Sequence, residues 1–134
     1  MSNKPIAVKA DQVTPFWSKP PHHRQLKVLL SPAIHGTSAL VSLGMVTIPP
    51  GESGEPHQHG IEQETWFILS GKGKLKIGEQ LIQLEPEMVV VAPASVQHQI
   101  LNDGDEDLKA LFIFSPSGPE QPYIIEPLEK KTDT

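Results

Sequence analysis

Between Leu26 and Phe114 the apolar residues come in short runs rich in Val, Ile and Leu, a pattern that suits strands better than long helices. Candidate strands run over Leu26–Leu30, Ala39–Ile48, Thr65–Ser70, Lys72–Ile77, Glu79–Leu84, Met88–Val91, His98–Asn102 and Leu108–Phe114. Strict alternation over 74–77 puts Leu75 and Ile77 on one face and Lys74 and Lys76 on the other, so this pair of strands has a wet side. Pro49-Pro50-Gly51, Ser70-Gly71-Lys72-Gly73, Gly78 and Asn102-Asp103-Gly104-Asp105 supply turn chemistry at the breaks. The spacing predicts an all-β sandwich or barrel.

Residues 1–24 are less regular, because Pro5, Pro15, Pro20 and Pro21 remove backbone donors and interrupt helices; they are expected to form an N-terminal arm. Residues 25–116 are expected to form the barrel, and 117–134 a proline-punctuated extension ending in a polar tail over Glu129–Thr134. At 134 residues the chain suffices for one domain that buries roughly two thirds of its unfolded surface.

A net charge of -5 leaves no broad cationic face for nucleic-acid phosphates or an anionic membrane, so neither is expected as a partner. No apolar run approaches the length of a membrane span, and the first residues lack the apolar core of a secretory signal, so a cytoplasmic protein is expected. Cysteine is absent, which excludes disulfides and thiolate chemistry and leaves imidazole and carboxylate as the strong metal donors.

Two segments carry candidate chemistry. In GESGEPHQHGIEQETWFILSG, over 51–71, His57 and His59 stand two apart, which on an extended chain aims both imidazoles at one point, and Glu64 shares a strand face with Trp66 and Ile68. In PEMVVVAPASVQHQILND, His98 follows a proline-containing bend and precedes Asn102 by four residues. A lone histidine of this kind is ordinarily structural; the first segment changes that reading.

Together the segments resemble the paired motifs of the cupin superfamily, in its small single-domain form. The first motif, G-x5-H-x-H-x3-4-E-x6-G, is matched by Gly51, His57, His59, Glu64 and Gly71. The second, G-x5-P-x-G-x2-H-x3-N, is matched by Pro93, His98 and Asn102, with Glu87 and Ser95 standing where the motif has glycines, which suggests altered turns. The resemblance implies a jelly-roll β-barrel with one divalent transition metal at its centre, held by His57, His59, Glu64 and His98. Fe or Mn comes first, and Ni, Cu, Co or Zn are the alternatives. Gln63 sits at the shorter spacing some cupins use, but an amide is a weak ligand, so Glu64 stands first.

Four protein donors leave coordination positions for water or substrate, which suits a metal-dependent enzyme of the dioxygenase-like oxidoreductase type acting on a small oxygen-bearing organic molecule. Glu64 is the candidate catalytic group, as ligand or as base. The competing readings are a non-oxidative lyase, isomerase or cyclase using the metal as Lewis acid, and a small-molecule or sugar-binding module without turnover. The resemblance also implies a homodimer through sheet edges and N-terminal arms.

Other polar residues take plainer readings. His22, His23 and His35 lack metal-binding spacing and are expected at the surface; so is Arg24, with an anionic substrate as its alternative partner. Trp66, Met45, Phe112 and Phe114 read as core with a possible role as pocket wall. Glu120, Glu126 and the Asp103–Asp107 cluster read as solvated loops, the last lacking the full calcium-loop pattern.

Overall fold

The computed structural model of the protein describes residues 4–125. Nine strands lie among them: β1 Phe16–Trp17, β2 Gln25–Leu30, β3 Ser42–Ile48, β4 Gln63–Ser70, β5 Gly73–Ile77, β6 Gln80–Leu84, β7 Val89–Ala92, β8 His98–Leu101 and β9 Leu108–Ser115. One short helix, α1 Pro32–His35, follows β2. Six strands make one sheet in the order β1-β2-β3-β9-β4-β7, and three make a second, β6-β5-β8, with antiparallel pairing throughout. Placing β9 between β3 and β4 gives the jelly-roll arrangement expected from the sequence.

Period-two alternation sorts each strand into an inner and an outer face. Leu108, Ala110, Phe112 and Phe114 of β9 are all buried, and Leu75 on β5 is buried while Lys76 is exposed. The cross-strand register then lays out the inner face of the large sheet in rows. Val46–Ala110–Ile68 is aliphatic, Gly44–Phe112–Trp66–Val90 aromatic, and Ser42–Phe114–Glu64–Ala92 brings in a carboxylate. Gly44 is required by its neighbour: a Cβ there would lie 2.2 Å from the Phe112 ring. The ring therefore lies over bare backbone and forms a wall beside Glu64's row.

The structure corrects several expectations. The strand expected from Ala39 begins at Ser42, because the Ala39 carbonyl accepts from the Ser117 amide and hydroxyl, each at 3.0 Å, instead of joining a ladder. The barrel is not closed by continuous pairing; isolated bridges Ser53↔Leu101 and His57↔His98 tie the segment between β3 and β4 to β8. Pro49, Pro50 and Pro56 remove ladder donors there. Helix α1 was not expected, although Ser31 caps it by accepting from the Ala33 amide at 3.2 Å, Pro32 opens it and Gly36 closes it at φ +67°. The arm also contributes β1, paired Phe16↔Leu26 and Trp17↔Gln25.

Glu120 is the largest departure. Expected in a solvated loop, it has no exposed surface, and its carboxylate accepts from Ser31 Oγ at 2.6 Å, Ser42 Oγ at 2.8 Å and the Gly118 amide at 2.7 Å. It pins the chain after β9 to the starts of α1 and β3. Glu126 and the expected tail over 129–134 lie outside the described residues. Burial pushes the Glu120 carboxyl up, but the three hydrogen bonds outweigh it and hold the pKa below its ordinary 4.5. A depressed folded-state pKa means that the carboxylate's stabilisation is complete above the unfolded value and is lost as pH falls through the folded one. Glu120→Gln should therefore cost about 2 kcal/mol at pH 7 and flatten the acid side of the stability profile, checked by urea unfolding between pH 3 and pH 7, with pH values of roughly this range set by the carboxyl titration.

Candidate metal centre

His57 and His98 exchange both backbone hydrogen bonds, each amide donating to the other's carbonyl at 2.8 Å. This single bridge places side chains from opposite ends of the two sequence segments side by side, with ring centroids 6.2 Å apart. His59 stands 5.8 Å from His57 and 5.2 Å from His98, centroid to centroid. One nitrogen from each of the three rings lies within 4.8 Å of the others. Three donors sharing one ion at about 2.0–2.2 Å stand roughly 3–4 Å apart, so the rings close in by up to about 1–2 Å to take a common ion.

Glu64 enters from the large sheet. It is 7 % exposed, and its Oε1 lies 2.9 Å from His98 Nε2 and 3.3 Å from His59 Nε2. Burial alone would raise the carboxyl's pKa; hydrogen bonds from His59 and His98, and their charge, outweigh it and hold the pKa below the ordinary range. At His57 burial acts first and the Arg24 charge second, and together they lower the imidazole's pKa, favouring the neutral form that can donate a lone pair. Gln63 is exposed on the opposite face of β4, so the alternative at shorter spacing points away from the cluster.

Exposure of the histidine side chains falls from 27 % at His57 through 15 % at His59 to 5 % at His98, so the cluster has a mouth at His57 and a floor at His98. His98 Nδ1 lies 3.2 Å from the Val96 carbonyl. The tautomer that donates from Nδ1 to Val96 leaves the Nε2 lone pair for a metal shared with Glu64, and the tautomer with the proton on Nε2 donates it to the carboxylate. The donor set fits a divalent metal of the imidazole- and oxygen-accepting kind.

The family model described as a cupin domain matches residues 44–114, more than half of the chain. The chain is a cupin. Polyketide synthase CurC of Streptomyces cyaneus is 25 % identical over 95 residues, covering 71 % of this cupin and 61 % of CurC, so the match spans less than two thirds of that relative. Tetracenomycin polyketide synthase protein TcmJ of Streptomyces glaucescens is 27 % identical over 102 residues, 74 % of this chain and 68 % of its own. In fold, the crystal structure of a predicted oxalate decarboxylase from Thermotoga maritima superposes with a TM-score of 0.75 at 24 % identity, covering 84 % of this chain and all of that one.

Around the cluster lies a cavity of about 40 Å³, with Leu26, Val46, Trp66, Ile100, Phe112 and Phe114 as its apolar lining. Trp66, Phe112 and Phe114 thus serve as both core and wall, whereas Met45 lies on the outer face of β3, out of phase with buried Gly44 and Val46. Arg24 also lines the cavity and is 5 % exposed, which corrects the expectation of a surface charge: it sits where the arm turns into β2 under Gly54. Tyr123 reaches the same cavity from the C-terminal side, and nothing but its being the chain's single tyrosine singled it out in sequence. His22, His23 and His35 stay outside the cluster and bond to Ser53 Oγ, the Ser18 carbonyl and the Ser31 amide.

At both missing motif glycines the backbone takes the left-handed conformation. Glu87 and Ser95 adopt φ +67° and +66°, the left-handed conformation glycine favours, and Ser95 fixes the loop beneath the cluster by donating its amide to the His59 carbonyl and its hydroxyl to the Gly60 carbonyl, both at 2.8 Å. Asn102 plays a structural part: buried, it donates to the carbonyls of Ile48 at 2.8 Å and Glu106 at 2.7 Å and accepts from the Gly104 amide at 2.9 Å. Two results are expected in urea unfolding. Asn102→Ala should lose about 2–3 kcal/mol by stranding buried carbonyls, and Glu87→Gly should gain about 0.5–1 kcal/mol by relieving the left-handed backbone.

Proposed function

We propose that this cupin is a metal-dependent enzyme acting on a small oxygen-bearing organic molecule, with His57, His59, Glu64 and His98 as the metal ligands and Fe(II) or Mn(II) as the metal. The observation that carries the reading is the 2.9 Å approach of Glu64 Oε1 to His98 Nε2 while the other His98 nitrogen faces the Val96 carbonyl. Bound there, such a metal supplies a Lewis acid with free coordination positions and, for iron or manganese, access to one-electron redox chemistry. The chain's own residues set the rest. Val96 fixes the His98 ring, Ser95 fixes the backbone of His59, and Trp66, Phe112 and Phe114 keep bulk water from the buried side. Glu64, held anionic, is placed either to stay a ligand or to take a proton from a substrate carbon or hydroxyl.

The leading reaction class is oxidative and dioxygenase-like. A non-oxidative lyase, isomerase or cyclase reading is favoured by a separate observation: two relatives carry polyketide synthase names, and polyketides are rich in the carbonyls and enolates on which a Lewis acid acts. Elemental analysis of untagged protein should find near-stoichiometric iron or manganese, lost in the His57→Ala/His98→Ala variant while the circular dichroism spectrum is kept. Oxygen uptake with substrate then supports the oxidative class, and anaerobic turnover supports the Lewis-acid class. A protein that takes up no metal on reconstitution would leave a binding module.

The outer face of the large sheet supports the expected homodimer. Its rows Lys27–Met45–Leu111–Phe67–Val89 and Leu30–Leu43–Ile113–Thr65–Val91 are apolar apart from Lys27 and Thr65, although an antiparallel sheet facing water ordinarily turns polar residues outward. Val89 and Val91, on edge strand β7, are 61 % and 45 % exposed. Five strands of this length present a footprint of roughly 24 by 25 Å, close to the scale of the roughly 800 Å² per partner that a stable dimer buries. No helix among the described residues is long and apolar enough to cross a membrane. Light scattering at micromolar concentration should show a dimer for the native chain and a monomer for Val89→Glu/Val91→Glu; a native monomer would refute the assembly.

A further inference from the structure

Arg24 is a buried cation with only neutral partners. Its Nη1 donates to Ser18 Oγ at 3.1 Å and, at 3.4 Å, to the His22 carbonyl, and its side chain hydrogen-bonds Tyr123. Among the described residues no carboxylate lies within ion-pair distance of it. Glu64 is engaged by His98 and His59, and Glu55 Oε2 lies 3.8 Å from His57 Nε2. Gly54 lies over the guanidinium stem, with the position of its missing Cβ 3.5 Å from Nε, so the residue packed directly on Arg24 is one without a side chain to bring a counter-charge.

Burying an unpaired charge costs several kcal/mol, and proteins ordinarily avoid it by pairing or neutralisation, of which arginine permits only the first. The guanidinium also offers a rigid fork of donors matched to the two oxygens of a carboxylate. Arg24, Tyr123, His57 and His98 line one cavity of about 40 Å³ together with Glu55 and Glu64, against the roughly 10–15 Å³ that a single water needs on the same measure. A head group of carboxylate size fits that space, and the rest of the molecule must lie toward the mouth at His57.

We propose that the cavity binds a small organic carboxylate, with the anion held by Arg24 and Tyr123 and an oxygen on the adjoining carbon facing the His57–His59–His98 cluster. The carboxylate subsite stands on Arg24 alone; only the facing of the second oxygen rests on the metal reading above. A 2-oxo acid is the simplest molecule with both features, and its neutral amide keeps the shape while removing the charge.

The test is calorimetric titration of pyruvate and pyruvamide into the full-length protein, both metal-free and loaded with Mn(II), alongside the Arg24→Met variant. Pyruvate should bind the native protein in both forms and pyruvamide about tenfold or more weaker, with Arg24→Met losing about tenfold or more for pyruvate only. Free Arg24→Met should melt no lower than the native protein, since it removes an uncompensated buried charge; a merely structural arginine would instead lower the melting temperature and leave selectivity for the anion unchanged. Should the methionine variant fail to fold, Arg24→Lys decides, with pyruvate affinity expected to fall about fivefold or more because the bidentate fork is gone. Equal binding of the two ligands, no binding of pyruvate in either form, or native affinity in the Arg24 variant overturns the proposal. Arg24-dependent binding to a protein that takes up no metal would sink the metal reading and leave this one standing; metal uptake with Arg24-independent binding would do the reverse.

Discussion

A carboxylate buried inside the sandwich sets the terms for everything near it. Glu64 sits on the inner face of β4, in the row after Trp66, where water cannot solvate its charge. Such an ion persists only if hydrogen bonds and opposite charge replace its hydration. Two imidazoles do so at 2.9 and 3.3 Å, and they come from separate parts of the chain. The rows behind it are apolar, which raises the cost of burial and strengthens each interaction that offsets it. The same low dielectric that makes the site expensive to fold gives its few polar groups their chemical force.

Bringing the imidazoles to Glu64 falls to the reciprocal backbone pair of His57 and His98. The segment between β3 and β4 contains Pro49, Pro50 and Pro56 and cannot join β8 as a regular strand. Among the described residues its backbone pairs with β8 at two isolated bridges, one of them this pair. The open side of the barrel and the accessible mouth of the site therefore have one cause. A complete ladder would close the sheet over His57; a loop without the bridge would leave the imidazole unplaced.

The parts of this arrangement that were legible in sequence depend on short-range periodicity. Glu64 and Trp66 share a face because they are two apart, Gln63 is excluded for the same reason, and His57 and His59 converge on an extended chain. What was not legible depends on partners far along the chain. Glu120 looks like any loop acid until Ser31 and Ser42, 89 and 78 residues earlier, are seen to close around it. Arg24 is buried by residues such as Gly54 and Tyr123 that no local pattern connects to it. Glu87 and Ser95 show a different limit: the missing glycines suggested altered turns, yet the surrounding hydrogen bonds hold both residues in the glycine conformation.

Glu64 and Arg24 bracket His57 electrostatically, the carboxylate raising its pKa and the guanidinium lowering it. Their surroundings differ in kind. Glu64 has two imidazole partners and is satisfied within the fold, whereas Arg24 has a hydroxyl, a carbonyl and a phenol and keeps its charge. Folding alone would favour replacing Arg24 with an apolar side chain of similar volume. Local violations of that kind concentrate where a protein gives up stability for function. Both charges line the same cavity, Glu64 against the His59 and His98 rings and Arg24 among neutral groups, so the site is polarised before anything enters it.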